Sequence, residues 1–506
     1  MLGSSPTSEL WSAPPLSYVV VILCVFLVIK VLLQPYIQTN IPPFPARPYP
    51  ILGHLPYIVK DQRIKLNEFR KTTGDIYSLY FGSQLFVVVS GLRLVKEALV
   101  KHGATLSDRA PMPHLEGGDM GIVFANGPLW KEQREVSLAI LKSFGMGKSS
   151  LALKMREELD AYLDTLAALK GKPEDVHTLT STSVANVICS IIVGKRFEYT
   201  DPLFVDFVKD FFRQVAETEN ISPVVIWPWL RFIPGNFMRA KTLDRCIKMI
   251  LSKFCDRFIE LTEKQRGTED APETFITSYL EEMEKLSAKG KDTTLSKGHL
   301  RRILQQLFLA GTETTTITLL WFMVFMLRHP DIQQKVYDEI TSVTNSDRYP
   351  DMQDRTRLPY TTAVIMETQR RSSVSPTSVP HYCRADTSIE GYTIPAGAIV
   401  LTSLDSVLLD GDIWEEPLSF KPERFLDQAG NVVKPEAFVP FSMGKRICMG
   451  EALANMELFL YSTSLVQRFK LQPCEPGQVP SLDYREGLTC PPKPFKIRFV
   501  ERESTV

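Results

Sequence analysis

The sequence predicts one large, mainly helical domain with small β-sheets, carried behind a single N-terminal membrane anchor. Three observations predict it. An apolar run opens the chain, and helical periodicity dominates from residue 128 onward. Past residue 51, no composition shift, internal repeat or low-complexity segment divides the remainder into separate cores. The length of 506 residues would by itself argue for about two to four domains, and the undivided pattern overrides that prior.

Residues 16–33 read LSYVVVILCVFLVIKVLL, broken only by Lys30. A helix of that length rises about 27 Å, enough for a hydrocarbon core. A cleaved signal peptide would want basic residues before the run and a small-residue cleavage site after it. Residues 1–15 hold no Lys or Arg, and Gln34 and Pro35 follow the run. The segment therefore reads as an uncleaved signal anchor, with 1–15 lumenal and the Lys/Arg-bearing body cytosolic. Pro42, Pro43, Pro45, Pro48 and Pro50 make 34–50 a stiff, extended linker. The remaining domain is 51–506.

Within that domain, 75–81 and 86–89 read as strands. Residues 128–170, 174–195, 203–218, 240–266, 297–328 and 330–343 carry helical patterns, with Pro330 at a favourable first-turn position. Residues 265–296 are polar and read as a connection or frayed helices.

Hydrophobic content is 44% and charged content 23%, ordinary for a globular chain. Lys+Arg and Asp+Glu are both 58, and zero net charge argues against non-specific nucleic-acid binding. The cysteines Cys24, Cys189, Cys246, Cys255, Cys383, Cys448, Cys474 and Cys490 are scattered without a C-x-x-C pair. That is neither a zinc ribbon nor a disulfide framework, and it suits a reducing compartment.

The most specific segment is Phe441-Ser-Met-Gly-Lys-Arg-Ile-Cys-Met-Gly450. Gly444 and Gly450 let backbone approach a flat ligand. A helical run over 451–459 follows, and its N-terminus favours a thiolate at Cys448. Arg446 is then free to neutralise a second anion. These are the needs of a cysteine that ligates haem iron from one face, with the arginine on a haem propionate. A buried structural cysteine is the ordinary alternative for a lone Cys. The joint pattern F-x-x-G-x-R-x-C-x-G argues against it, and it resembles the haem-binding loop of the cytochrome P-450 family.

Further segments extend that resemblance. Ala310-Gly-Thr-Glu-Thr-Thr315 crowds hydroxyls and one acid into an apolar helix, where a solvated polar face is the plain alternative. It resembles the family's A-G-x-[D/E]-T-[T/S] element, including Ala310 and Gly311. The resemblance implies that this helix crosses the haem and that Glu313 and Thr314 help deliver protons to dioxygen. A hydroxyl bonded to a helix carbonyl should open the helix locally and leave room for oxygen and water.

Glu367 and Arg370 stand three apart, a common spacing for a surface ion pair. With Phe420-Lys-Pro-Glu-Arg-Phe425 downstream, they resemble the family's E-x-x-R motif and its partner. The implied role of Glu367, Arg370 and Arg424 is a buried triad that fixes the haem loop. Trp130 and Arg134 share a helical face; a core Trp and a surface Arg would be the default. The match to W-x-x-x-R makes both candidates for a haem propionate. Arg109 and His381 resemble two further propionate contacts in the animal family-2 branch, which the chain matches from anchor to C-terminus. Two departures stand out. Arg371-Ser372 follows E-x-x-R where an apolar pair is usual, near the expected substrate pocket. Leu409 precedes Asp410 where His is frequent.

The resemblance implies a haem-thiolate monooxygenase with haem b (iron protoporphyrin IX) as cofactor. One atom of O2 would enter a lipophilic substrate. Electrons would come from NADPH through NADPH-cytochrome P-450 reductase, with cytochrome b5 a further candidate partner and the endoplasmic reticulum membrane as location. Lys131, Lys142, Lys148 and Lys445 lie near Trp130–Arg134 or Cys448 in sequence and are candidates for docking an acidic reductase. The pocket should draw on 109–124, 203–238, Ala310, 373–379 and the turn near Leu488, without revealing which substrate. Two rivals remain on the same fold: a peroxide isomerase or dehydratase that needs no O2, and a non-catalytic haem-binding protein.

Overall fold

A computed structural model describes residues 16–37, 40–58, 61–111, 118–146, 149–218, 251–266, 272–345 and 347–503, with isolated residues 232, 234–235, 245 and 248–249. Lys148, Cys246 and most of the 219–250 stretch lie outside the described residues. The first helix is Leu16–Ile37, and its side chains from 17 to 29 are exposed.

The architecture is mainly helical, with small sheets. Its axis is a 32-residue helix, Lys297–Arg328, on which Ser296 caps the start by accepting from the His299 N–H at 3.2 Å. This helix has the length and apolarity of a membrane span, yet it is mostly buried inside the protein and serves as the core. The helices His177–Ile192, Pro330–Thr344, Pro359–Ser372 and Glu451–Arg468 pack around it. Its closest approach to a neighbour explains one glycine. A Cβ at Gly311 would lie 2.6 Å from Ile188 Cδ1, so the missing side chain makes room for the His177–Ile192 helix.

The main sheet joins four strands: β1 (Ile76–Phe81), β2 (Gln84–Val89), β3 (His381–Tyr382) and β6 (Ile399–Thr402), in the order β1-β2-β6-β3. β2 runs antiparallel to β1 and parallel to β6. Leu79, Phe81, Phe86 and Val88 face one hydrophobic cluster, and Leu85, Val87 and Val89 face another. The period of two thus has apolar demand on both sides, so these strands read as continuous hydrophobic runs. β4 (Thr387–Ile389) pairs with β5 (Tyr392–Ile394), and β7 (Phe469–Pro473) with β8 (Ile497–Glu501).

Three boundaries differ from the sequence reading. The pattern over 128–170 is two helices, Gly127–Ser143 and Ser149–Ala167, separated where Gly145 takes φ +88°. The polar 265–296 segment contains a further helix, Phe275–Ala288. Thr274 and Thr277 form its capping box, and Phe275, Ile276, Tyr279 and Leu280 bury one face, so a polar average concealed an amphipathic stretch. The continuously described part of 240–266 holds the π-helical Leu251–Asp256 and the helix Arg257–Gln265.

Candidate active site

The 441–450 loop closes on itself before the Glu451–Arg468 helix. The Cys448 N–H donates to the Phe441 carbonyl at 3.1 Å, and the Ile447 N–H to that of Gly444 at 3.2 Å. Gly444 has φ +78°, and a Cβ there would sit 2.2 Å from the Leu99 carbonyl oxygen. Only glycine suits that position. At Gly450 an added Cβ would meet only the Cys448 sulfur, at 3.9 Å, so the chain's own packing leaves that side open.

The Cys448 side chain is accessible, yet enough protein surrounds it that burial raises the thiol's pKa. The Glu451 carboxylate raises it further, while the backbone amides of Gly450 and Glu451 and the positive potential of Arg134 pull it down. The amides and the arginine favour the thiolate.

Across the core, Ala310 and Thr314 are exposed on an otherwise buried stretch of the long helix. They are one turn apart and share a face, so an interior cleft opens there. Thr314 Oγ1 donates to the Ala310 carbonyl at 2.8 Å. The helix nevertheless runs on without a break. The expected local opening is absent, because a carbonyl with two lone pairs can accept the hydroxyl beside its helical N–H. Glu313 is buried, and its Oε1 accepts from Thr489 Oγ1 at 2.5 Å. Burial raises its pKa, while Thr489 and Arg485 pull it down.

The cationic residues come together at one edge. Arg446 lies with its guanidinium 4.0 Å from the Trp130 ring centroid, and Arg134 is 5.9 Å from the same ring. Arg446 donates to the carbonyls of Ser107 (2.7 Å), Ile122 (3.2 Å) and Ala125 (2.6 Å). Arg109 donates to those of Val379 (2.5 Å) and Pro380 (2.8 Å). Burial lowers the pKa of Arg446 to about 10, and burial with repulsion from Arg446 lowers that of Arg109 to about 9. The Trp130 Nε1 and Arg109 Nε are buried without a protein acceptor.

His381 Nδ1 lies 2.6 Å from the Leu106 carbonyl, which can only accept, so Nδ1 carries the proton. Burial and the two arginines push its pKa down to about 3. The ring is neutral, and its Nε2 becomes a donor only if an anion draws a second proton.

Glu367 and Arg370 have no exposed surface and pair at 2.7 and 2.8 Å. Arg370 also donates to the carbonyls of Leu408 (2.8 Å) and Pro417 (2.9 Å). Arg424 completes the group more loosely, with Nε 3.5 Å from Glu367. Arg371 donates to the Leu418 carbonyl at 2.6 Å and so belongs to this lattice.

Residues 42–499 match the Cytochrome P450 family. The chain belongs to the cytochrome P450 family. This P450 is 39% identical to cytochrome P450 2U1 of Mus musculus over 450 residues, covering 87% of this chain and 83% of the relative. It is 37% identical to cytochrome P450 2D3 of Rattus norvegicus over 467 residues, covering 90% and 92%. With cytochrome P450 2D26 of Rattus norvegicus it shares 36% over 506 residues, covering 98% and 99%. It is a P450 monooxygenase, and its cofactor is haem b with iron bound through a cysteine thiolate. A redox-partner reductase, O2 and a lipophilic substrate complete the reaction.

The residues fit that cofactor. A buried guanidinium, Arg109, and a half-buried one, Arg446, both bonded to carbonyls, form with an unpartnered indole N–H a donor set suited to two propionates. The space beside Gly450 and the accessible Cys448 sulfur suit a flat macrocycle.

Two buried polar residues escaped the sequence reading. Thr489 sits in a turn with no motif, so nothing local marked it. Glu457 is a lone acid in the apolar run MELFLYS, the same kind of signal that marked Glu313. It is buried with Oε1 unpartnered, and burial, opposed by the nearby Thr315 hydroxyl, raises its pKa to about 8.

Proposed function

We propose that Cys448 is the iron ligand of a monooxygenase that oxidises a lipophilic substrate with electrons from NADPH through NADPH-cytochrome P450 reductase. The observation that carries this reading is the accessible Cys448 sulfur on the open side of Gly450, held in a loop that the Cys448 N–H closes on the Phe441 carbonyl at 3.1 Å. The haem supplies dioxygen activation and oxygen transfer when bound. The chain's own groups do the rest.

Arg446, Arg109, Trp130 and Arg134 hold the propionates, and His381 joins them once the anion raises its basicity. Phe441, Gly444 and Gly450 shape the loop, while Ala310 and Gly311 place the long helix against the ring. Thr314 holds a hydroxyl proton at the cleft face, and Glu313 is the acid that restores it. Glu367, Arg370 and Arg424 keep the segment leading to the loop in place. Residues 1–15 are lumenal, 16–33 anchor the chain in the endoplasmic reticulum membrane, 34–50 link, and 51–506 form the cytosolic catalytic domain. Cytochrome b5 is a second electron donor.

The test is a carbon monoxide difference spectrum of the reduced protein, followed by NADPH consumption with added reductase. A panel of sterols, fatty acids and aromatic xenobiotics, screened for type I spectral shifts, then gives the substrate class. A spectrum lacking the thiolate-type band overturns the ligand assignment. Normal ligation without NADPH consumption overturns the reductase-driven reaction.

A further inference from the structure

The acid next to Thr314 is held from outside its own helix. Thr489, itself buried, donates its hydroxyl proton to Glu313 Oε1 at 2.5 Å. Its segment is firmly anchored. The Cys490 N–H donates to the Val374 carbonyl at 2.8 Å. The Cys490 carbonyl accepts from Trp321 Nε1, also at 2.8 Å, and Trp321 belongs to the long helix. The neighbouring side chain, Leu488, is 54% exposed and apolar.

We propose that Thr489 is a positioning residue for Glu313: the hydroxyl fixes one carboxyl oxygen, so the C-terminal turn, and not the long helix alone, sets where the acid presents its proton. This rests on the reading of Glu313 as the proton-supplying acid. Only a proton is exchanged, and no bond other than O–H forms or breaks. Thr489 is the first and Arg485 the second group opposing the effect of burial on Glu313, and the positive charge of Arg485 also bears on His177. Removing the hydroxyl therefore leaves the acid both less ionised and less fixed.

The test uses the haem-loaded full chain with reductase, NADPH and O2, and no added substrate. Peroxide released per NADPH is compared in wild type, Thr489→Val, Thr489→Ser, Glu313→Gln and the double variant Glu313→Gln/Thr489→Val. Thr489→Val keeps the side-chain shape and should raise the peroxide share by about two- to tenfold, the span of one hydrogen bond. Thr489→Ser should restore it, and the double variant should match Glu313→Gln, since the two residues act as one unit.

An independent readout is the infrared carboxylic-acid band that Glu313→Gln removes. It should titrate at higher pH in Thr489→Val and return in Thr489→Ser. If Thr489→Val leaves band and peroxide unchanged while Glu313→Gln raises peroxide, the latch is wrong and the reading of Glu313 stands. Additive effects in the double variant also overturn the latch. If Glu313→Gln itself changes nothing, the reading of Glu313 falls and takes the latch with it.

Discussion

Arg134 donates from Nη2 to the carbonyl of Ile447 at 2.7 Å, which ties the Gly127–Ser143 helix to the residue preceding Cys448. The same guanidinium adds positive potential at the sulfur and stacks toward the Trp130 ring that Arg446 also covers. One indole thus organises two cations from different parts of the chain around one cysteine.

Cys448→Ser should remove the thiolate-type carbon monoxide band and abolish turnover, because a hydroxyl is a poor ligand and electron donor for this iron. Difference spectroscopy and product assay check it. A variant that keeps both would place the ligand elsewhere.

Thr314→Ala should consume NADPH and O2 while releasing peroxide in place of much of the product. Its hydroxyl is the polar group at the exposed turn of the long helix. The loss in coupled turnover should approach the ~100-fold lower end of general acid–base contributions. Peroxide and product yields per NADPH measure the split.

Glu367→Gln should destabilise the fold by about 3–5 kcal/mol, since Arg370 would remain buried and charged without its acid. Calorimetry checks the loss. Haem content should fall with it, because Arg370 holds the carbonyls of Leu408 and Pro417.

Glu457 makes stability depend on pH. Its folded pKa of about 8 exceeds the ~4.3 of an unfolded glutamate, so across that window the native state keeps a proton that the unfolded state has lost. Its stabilising contribution is complete below the unfolded value and is lost as pH rises toward the folded one. Glu457→Gln should flatten this slope. Melting temperatures at about pH 5 and pH 8 should shift in the variant's favour at the higher pH.

Lys131, Lys142 and Lys445 are exposed. Reversing Lys131 and Lys445 to Glu should slow reduction by the reductase and weaken its ionic-strength dependence. Peroxide-driven turnover, which needs no reductase, should be spared. Stopped-flow reduction at two salt concentrations decides it, and a parallel fall of both activities would point to misfolding.

Much of this was legible in the chain. The bounds of Lys297–Arg328 follow from its apolar content and the cap at Ser296, and the cysteine loop is written in ten consecutive residues. What was hidden depends on distant partners. Nothing local marks Thr489 as the partner of Glu313, 176 positions away. Gly311 sits in a recognisable motif, but its need for space is set by Ile188 on another helix. The Phe275–Ala288 helix was hidden because its run of charged and hydroxyl side chains has the look of a linker until the capping box is seen in place.

The Arg446 guanidinium has a consequence for how the protein is made. Its acceptors at Ser107 and Asn126 are separated from it by 339 and 320 positions. A ribosome has therefore finished most of the helical scaffold before the cysteine that completes the pocket exists. Chains interrupted before residue 446 lack both the sulfur and the cation that bridges the early loops, so under the proposed ligation by Cys448 they should not retain the cofactor however well their helices form. That assignment would confine cofactor capture to the last stage of synthesis or to the released chain, coupled to the closure of contacts with very large sequence separation, the slowest kind to form.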